Sequence, residues 1–345
     1  MVHADYVRVL KPLLPKQAFF ANPKKLRVAG IHILIIGVSW GLFRVVSPVC
    51  WPVLALVVGH SLACLGFFAH ELSHGTVVRA TWWRYSLELI AWGLNIICPT
   101  LWRKIHNVSH HGQANAINDP DRRFMASEDT SMTRWYSFLF FPHKHASKNL
   151  FPFLHFLTYI LRHSVAVFYR EGRKPALTTF RPSYTRREQA TILGEIFFLV
   201  AVQIGIYAYV GGAVAWLWAS PVSLIVASCI LQVYLFTNHF LNPLGDGGDP
   251  VLATTSVRVP ALMNSLHFNF SYHTEHHLFP GMDSEYYPLL SDLIRQRYGD
   301  RYHNLPLAEA WSHLLEMDLY VAAPEEPSLV QYVAASRHNV VMGKS

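Results

Sequence analysis

Four apolar runs dominate the chain, at about residues 28–46, 52–69, 191–210 and 214–237. An α-helix rises 1.5 Å per residue, so roughly 20 residues cross a hydrocarbon core of about 30 Å. Inside that core each backbone N–H and C=O needs a partner from its own segment, which makes each run a helix. The runs form two hairpins. Ser47-Pro48 and Trp51-Pro52 break the first, and Gly211-Gly212 breaks the second. The expected fold is all-α, an integral membrane bundle of four transmembrane helices in two hairpins. Charged residues make up 15% of the chain, against about 25% in soluble domains, and this excludes an ordinary soluble domain.

Two further apolar stretches need assignment. Residues 85–98 are too short to span and read as interfacial. Residues 151–169 are long enough but contain His155, Arg162 and His163. A charge near mid-membrane costs about 2.5–3.5 kcal/mol, and a fifth crossing would put the later polar segments on the opposite face. This stretch is expected to be a partly buried or re-entrant helix. With four crossings, both termini, residues 70–190 and the segment after His239 share one side. That side carries six Lys and Arg at the N-terminus, 16 between residues 70 and 190 and six after His239, leaving Arg44 alone near the other face. The excess marks the shared side as cytoplasmic. The net charge of +7 is spread over long loops, which fits anionic membrane lipids and no nucleic acid. Cys50, Cys64, Cys98 and Cys229 form no CxxC pair. They read as small buried hydrophobes without a disulfide framework or zinc ribbon. The first 27 residues show no cleavable signal, so the first run is expected to remain as an anchor.

Eight of the 20 histidines fall in three tight groups: His70 and His74 in HELSHG; His106, His110 and His111 in HNVSHHG; His273, His276 and His277 in HTEHHLFP. Residues three or four apart share a helix face. His70 and His74 are expected to point at one metal, and His106 and His110 likewise. The adjacent histidine in the second and third groups lets one helix reach two metals. Eight imidazoles exceed the three or four that one zinc takes, so two metals fit the count better, held in a cytoplasmic helical cap. Imidazole suits iron, copper, zinc and nickel alike. HELSH also matches HExxH, in which Glu71 would serve a zinc protease as base. Such a protease does not need the other two clusters. His3, His32, His60, His143, His145, His155, His163, His303, His313 and His338 stand apart and read as solvated or hydrogen-bonded in the core.

The order HELSHG, HNVSHHG, HTEHHLFP resembles the three histidine boxes of the membrane fatty acid desaturase and hydroxylase superfamily, and the four-span layout matches over about residues 28–300. The resemblance implies two iron ions held by the eight box histidines, with O2 as co-substrate. It implies a desaturase placing a cis double bond in a fatty acyl chain, free, thioester or lipid-linked, with a hydroxylase or carotenoid ketolase as the alternative on the same scaffold. In related proteins a further histidine on the fourth span completes the metal shell; His239 occupies that place, and His267 competes for it. Asp119 and Asp121 in the turn after the second box, with Asn238 and Glu275, are expected to orient or support the ligands. The third box opens with His273 where front-end desaturases carry Gln, and no His-Pro-Gly-Gly haem motif occurs. Electrons are therefore expected from a separate ferredoxin or cytochrome b-type protein with its reductase. The implied layout is an N-terminal segment, 1–27, a desaturase-like body, 28–322, and a C-terminal tail, 323–345. The acyl chain is expected in a tunnel between the four spans.

Overall fold

The computed structural model describes residues 1–116, 119–120, 131–144, 150–168, 183–242 and 248–317. Asp121, His145, His338 and the 323–345 tail lie outside the described residues. In chain order the helices are α1 (His3–Leu10), α2 (Lys25–Leu42), α3 (Trp51–Ser73), α4 (Thr81–Leu94), α5 (Pro99–Trp102), a π-helical segment (Arg103–His110), α6 (Ser131–Phe140), α7 (His155–Ala166), α8 (Arg186–Val210), α9 (Ala213–Leu217), a second π-helical segment (Trp218–Val222), α10 (Ser223–His239), α11 (Pro250–Ala253), α12 (Ala261–Leu266), α13 (His273–Leu278), α14 (Tyr287–Tyr298) and α15 (Leu307–Glu316). Among the described residues the strands are a parallel pair, β1 (Ser256–Arg258) beside β2 (Asn304–Pro306), with Ser256 opposite Asn304.

Among the described residues, four helices are long and apolar enough to cross a membrane: Lys25–Leu42, Pro48–Ser73, Arg186–Val210 and Ala213–His239. Ile33, Leu34 and Val38 on α2 and Phe197, Val200 and Ile204 on α8 are exposed. A run of exposed aliphatic side chains is stable against lipid and costly against water. The chain is a multi-pass membrane protein.

Local sequence sets the helix ends. Thr185 and Glu188 form a reciprocal cap at the start of α8: the Thr185 hydroxyl accepts from the Glu188 N–H, and the Glu188 carboxylate accepts from the Thr185 N–H at 2.7 Å. Gly211 and Gly212 end it at φ of 90° and 143°, a turn that side chains resist. The fourth crossing is interrupted at Pro221, which lacks an N–H to donate and sits within the second π segment. The second crossing runs on to Ser73, so His70 sits inside its last turn.

α3 lies at the centre, between α2 and α10. A Cβ on Gly59 would stand 2.5 Å from Val226 Cβ and 2.6 Å from the Ser223 carbonyl oxygen, so α3 and α10 meet backbone to backbone. α7 has 12 residues, too few to span, and packs along α10, with Arg162 over the Tyr136 ring at 5.5 Å. This agrees with a partly buried helix in the 151–169 run. The centring of α3 on α10 matters for function, because the two helices carry His70 and His239 at their ends and bring them to the same end of the bundle.

Gly59→Ala forces this contact apart and is expected to destabilise by about 1–3 kcal/mol. Gly30→Ala on α2, where nothing lies within 4 Å, is expected to be neutral. Thermal unfolding of the detergent-solubilised variants checks the pair.

Candidate metal centre

The box histidines and His239 gather into two adjoining groups. His70, His74, His106, His111 and His276 form one, and His110, His239, His273 and His277 form the other. Within each group, one nitrogen per ring lies within 4.8 Å of all the others. Nε2 atoms face one another at 2.9 Å for His70 and His106, 3.1 Å for His106 and His111, 3.0 Å for His111 and His276 and 2.7 Å for His239 and His273. Two nitrogens at right angles on metal bonds of roughly 2.0–2.1 Å stand about 2.9 Å apart. Nε2 of His74 and Nε2 of His277 are buried without any hydrogen-bond partner. Convergent, desolvated imidazole nitrogens are the chemistry of a cation site, and the residues present fit metal. The rings of His111 and His277 are 4.5 Å apart, so the two groups share a wall.

Burial holds His74, His106, His111, His273, His276 and His277 well below the usual imidazole pKa, and their neighbouring imidazoles add to the shift. These rings are neutral, the form that ligates.

The second box differs from the α-helical expectation. His106 and His110 part company, and His106 joins His111 in the first group. The cause is the π-helical backbone of Arg103–His110, in which the His111 N–H donates to the His106 carbonyl at 3.2 Å. Closing the turn over five residues brings 106 and 111 together and releases 110 to the second group. Two ion pairs anchor this segment: Arg103 to Glu88 on α4 at 2.6 Å and Lys104 to Glu188 on α8 at 2.7 Å. α13 also serves both groups, His273 and His277 one turn apart in the second and His276 in the first.

The supporting residues divide. Asp119 takes a hydrogen bond from His110 Nδ1 at 2.8 Å and from the Asn115 N–H at 2.6 Å. An ionised carboxylate only accepts, so the His110 proton sits on Nδ1 and Nε2 is left free. Tyr287 does similar work for His276, its hydroxyl 3.1 Å from Nδ1. Glu275 touches no imidazole: its carboxylate binds Ser256 at 2.6 Å and the Tyr302 hydroxyl, fixing α13 to β1. Asn238 is fully buried with both amide atoms unpartnered. His267 is not part of either group; its Nδ1 lies 2.9 Å from the Tyr234 hydroxyl, and it gathers with His60 and Cys64.

Glu71, the base of the zinc-protease reading, is occupied elsewhere. Lys25 Nζ donates to it at 2.5 Å, to Asp283 at 2.6 Å and to Ser284 at 2.8 Å, and Thr76 donates to it at 3.0 Å. This buried knot joins α2, the first box and the turn after the third box. Sequence reasoning missed it. Its signal was a lysine at the mouth of an apolar run, where an unpaired charge is costly.

Two spaces adjoin the centre. A cavity of about 30 Å³ beside His239 is lined by Trp102, His155, Phe156, Leu235 and Phe236. An opening of about 370 Å³, lined by Val2, His3, Ala4, His111 and His277, reaches one member of each group from outside.

A family profile described as Fatty acid desaturase matches residues 47–309. The chain is also similar to a protein described as sn-1 linoleoyl-lipid 6-desaturase from Arthrospira platensis, 24% identical over 305 residues and covering 80% of this chain and 78% of that protein.

Asp119→Asn sets an amide N–H against either His110 Nδ1–H or the Asn115 N–H. Metal affinity of the four-histidine group is expected to fall about 10–100-fold while the five-histidine group holds its metal. Chelator-competition titration separates the two.

Proposed function

The chain belongs to the fatty acid desaturase family, and from that premise we propose that it is a di-iron enzyme that uses O2 to place a cis double bond in a fatty acyl chain. Desaturase-type oxidoreductase chemistry, a metal cofactor and an acyl or lipid substrate follow from the family. The observation that carries the finer reading is the division of nine histidines, seven of them buried, into groups of five and four. His70, His74, His106, His111 and His276 would hold one iron, and His110, His239, His273 and His277 the other. Metals bound there would couple O2, the oxidant, to the removal of hydrogen from an unactivated methylene.

The protein positions the chain and keeps water out. Phe156, Leu235 and Phe236 wall the small cavity at His239, and that space suits a pair of methylenes held beside the second group. α7 continues from this cavity into a groove of about 820 Å³ that it shares with α8, lined by Leu157, Ile160, Leu199, Ile204 and Trp216. The groove is almost wholly apolar and suits an acyl tail. It lies between α7 and α8, beside the expected path between the four spans. Asp119 and Tyr287 keep the Nε2 atoms of His110 and His276 aimed at the metals.

The remaining parts of the reading are topological. The histidine end and both termini face the cytoplasm, supported by the 28 of 29 Lys and Arg residues on that side. Electrons come from a separate ferredoxin or cytochrome b-type protein with its reductase, and the opening beside His111 and His277 is where they reach the centre. Residues 28–322 form the catalytic body between a cytoplasmic segment, 1–27, and a tail, 323–345.

Expression in a host whose lipids lack the product, followed by mass-spectrometric mapping, tests the reading. New cis double bonds are expected with the wild-type chain and none with His277→Ala. New oxygen atoms without alkenes would transfer the reading to a hydroxylase.

A further inference from the structure

Away from the two histidine groups, α3 carries a second cluster, about two to three turns deeper in the bundle. His60 and Cys64 are four residues apart and share a face. His267, from the end of α12, closes on them, and one ligand atom from each of the three lies within 4.8 Å of the others. Cys64 Sγ is 3.8 Å from His60 Nδ1. Three ligands set 120° apart, at roughly 2.0–2.1 Å to nitrogen and 2.3 Å to sulfur, leave sulfur and nitrogen about 3.8 Å apart.

His267 provides the independent sign. It is 1% exposed. The Tyr234 hydroxyl engages its Nδ1 at 2.9 Å, and Phe67 packs on its ring at 4.9 Å between centroids. Its Nε2 is buried with no partner. An imidazole locked by one nitrogen with the other desolvated is built as a ligand. The His60 ring lies 5.5 Å away and the His32 ring 6.1 Å beyond His60.

Charge selects the ion. The surroundings are apolar helix interiors, where a net charge is costly. A thiolate and two neutral imidazoles neutralise a monovalent cation and leave a divalent one at +1. Thiolate with imidazole is a soft set that favours copper(I). We propose that His60, Cys64 and His267 form a third metal site, separate from the histidine boxes, that binds one copper(I) ion. Binding releases the Cys64 thiol proton to solvent and changes no oxidation state. The bound ion pins α3 to the turn leading into α13, the helix that serves both histidine groups.

The test uses the full chain in detergent, iron-loaded, with one equivalent of copper(I) added anaerobically. Copper K-edge absorption is expected to show a single sulfur neighbour at roughly 2.3 Å. That neighbour should vanish in Cys64→Ser and persist in Cys98→Ser and Cys229→Ser. Chelator competition is expected to show at least tenfold weaker copper binding in Cys64→Ser and in His267→Ala. Unchanged size-exclusion elution of Cys64→Ser establishes that it folds. A wild-type spectrum without sulfur, or a sulfur neighbour that survives Cys64→Ser, overturns the site. Zinc(II) displacing copper(I) at equal concentration overturns the choice of ion.

Discussion

Nine imidazoles are packed nitrogen to nitrogen at one end of a membrane bundle, and the rest of the structure follows from what that requires. Neutral imidazoles offer one donor and one acceptor each, and six of these rings leave Nδ1 buried without a partner. Hydrogen bonding among the rings alone leaves such a cluster poorly satisfied. Metal bound there would accept the converging lone pairs, and the helices deliver the cluster. Both hairpins end on the same face, so that α3 and α10 can hand over His70 and His239 together. α13 reaches both, its His276 ring against His70 and its His273 against His239, and the Lys25 knot with Glu71 and Asp283 ties the delivering elements to one another.

The delivery explains which features were legible in the sequence. Spans, hairpin turns and the three boxes are local patterns, and the structure has all of them. His239 was found through the family resemblance, which implies a further histidine on the fourth span, and the apolar run ends on it. What stayed hidden depends on backbone geometry or distant contacts. An HxxxHH box read at α-helical spacing pairs His106 with His110, and only the π-helical turn exchanges that partner for His111. His267 stands six residues before the third box, but Phe268 and Asn269 follow it at φ of 53° and 56°. This reversal sends it toward His60. Lys25 and Glu71 are 46 residues apart, and no periodicity links them.

The same geometry assigns roles that composition leaves open. HELSH is shared by two chemistries, and the partner of Glu71 separates them. A carboxylate held by a buried ammonium and a threonine hydroxyl is an anchor, because breaking such a pair costs about 3–5 kcal/mol. Asp119, by contrast, touches an imidazole directly and sets its tautomer. The apolar groove along α7 and the small cavity at His239 give the buried centre a lipid-facing approach, while the opening at His111 and His277 gives it a polar one.

On the reading proposed above, the five-histidine and four-histidine groups are two iron sites. Iron content per purified chain, measured by atomic emission on wild type, His74→Ala and His277→Ala, tests it most directly. Two irons are expected per wild-type chain and about one in each variant, lost from a different group in each. One iron in the wild type, or two retained in both variants, would contradict it.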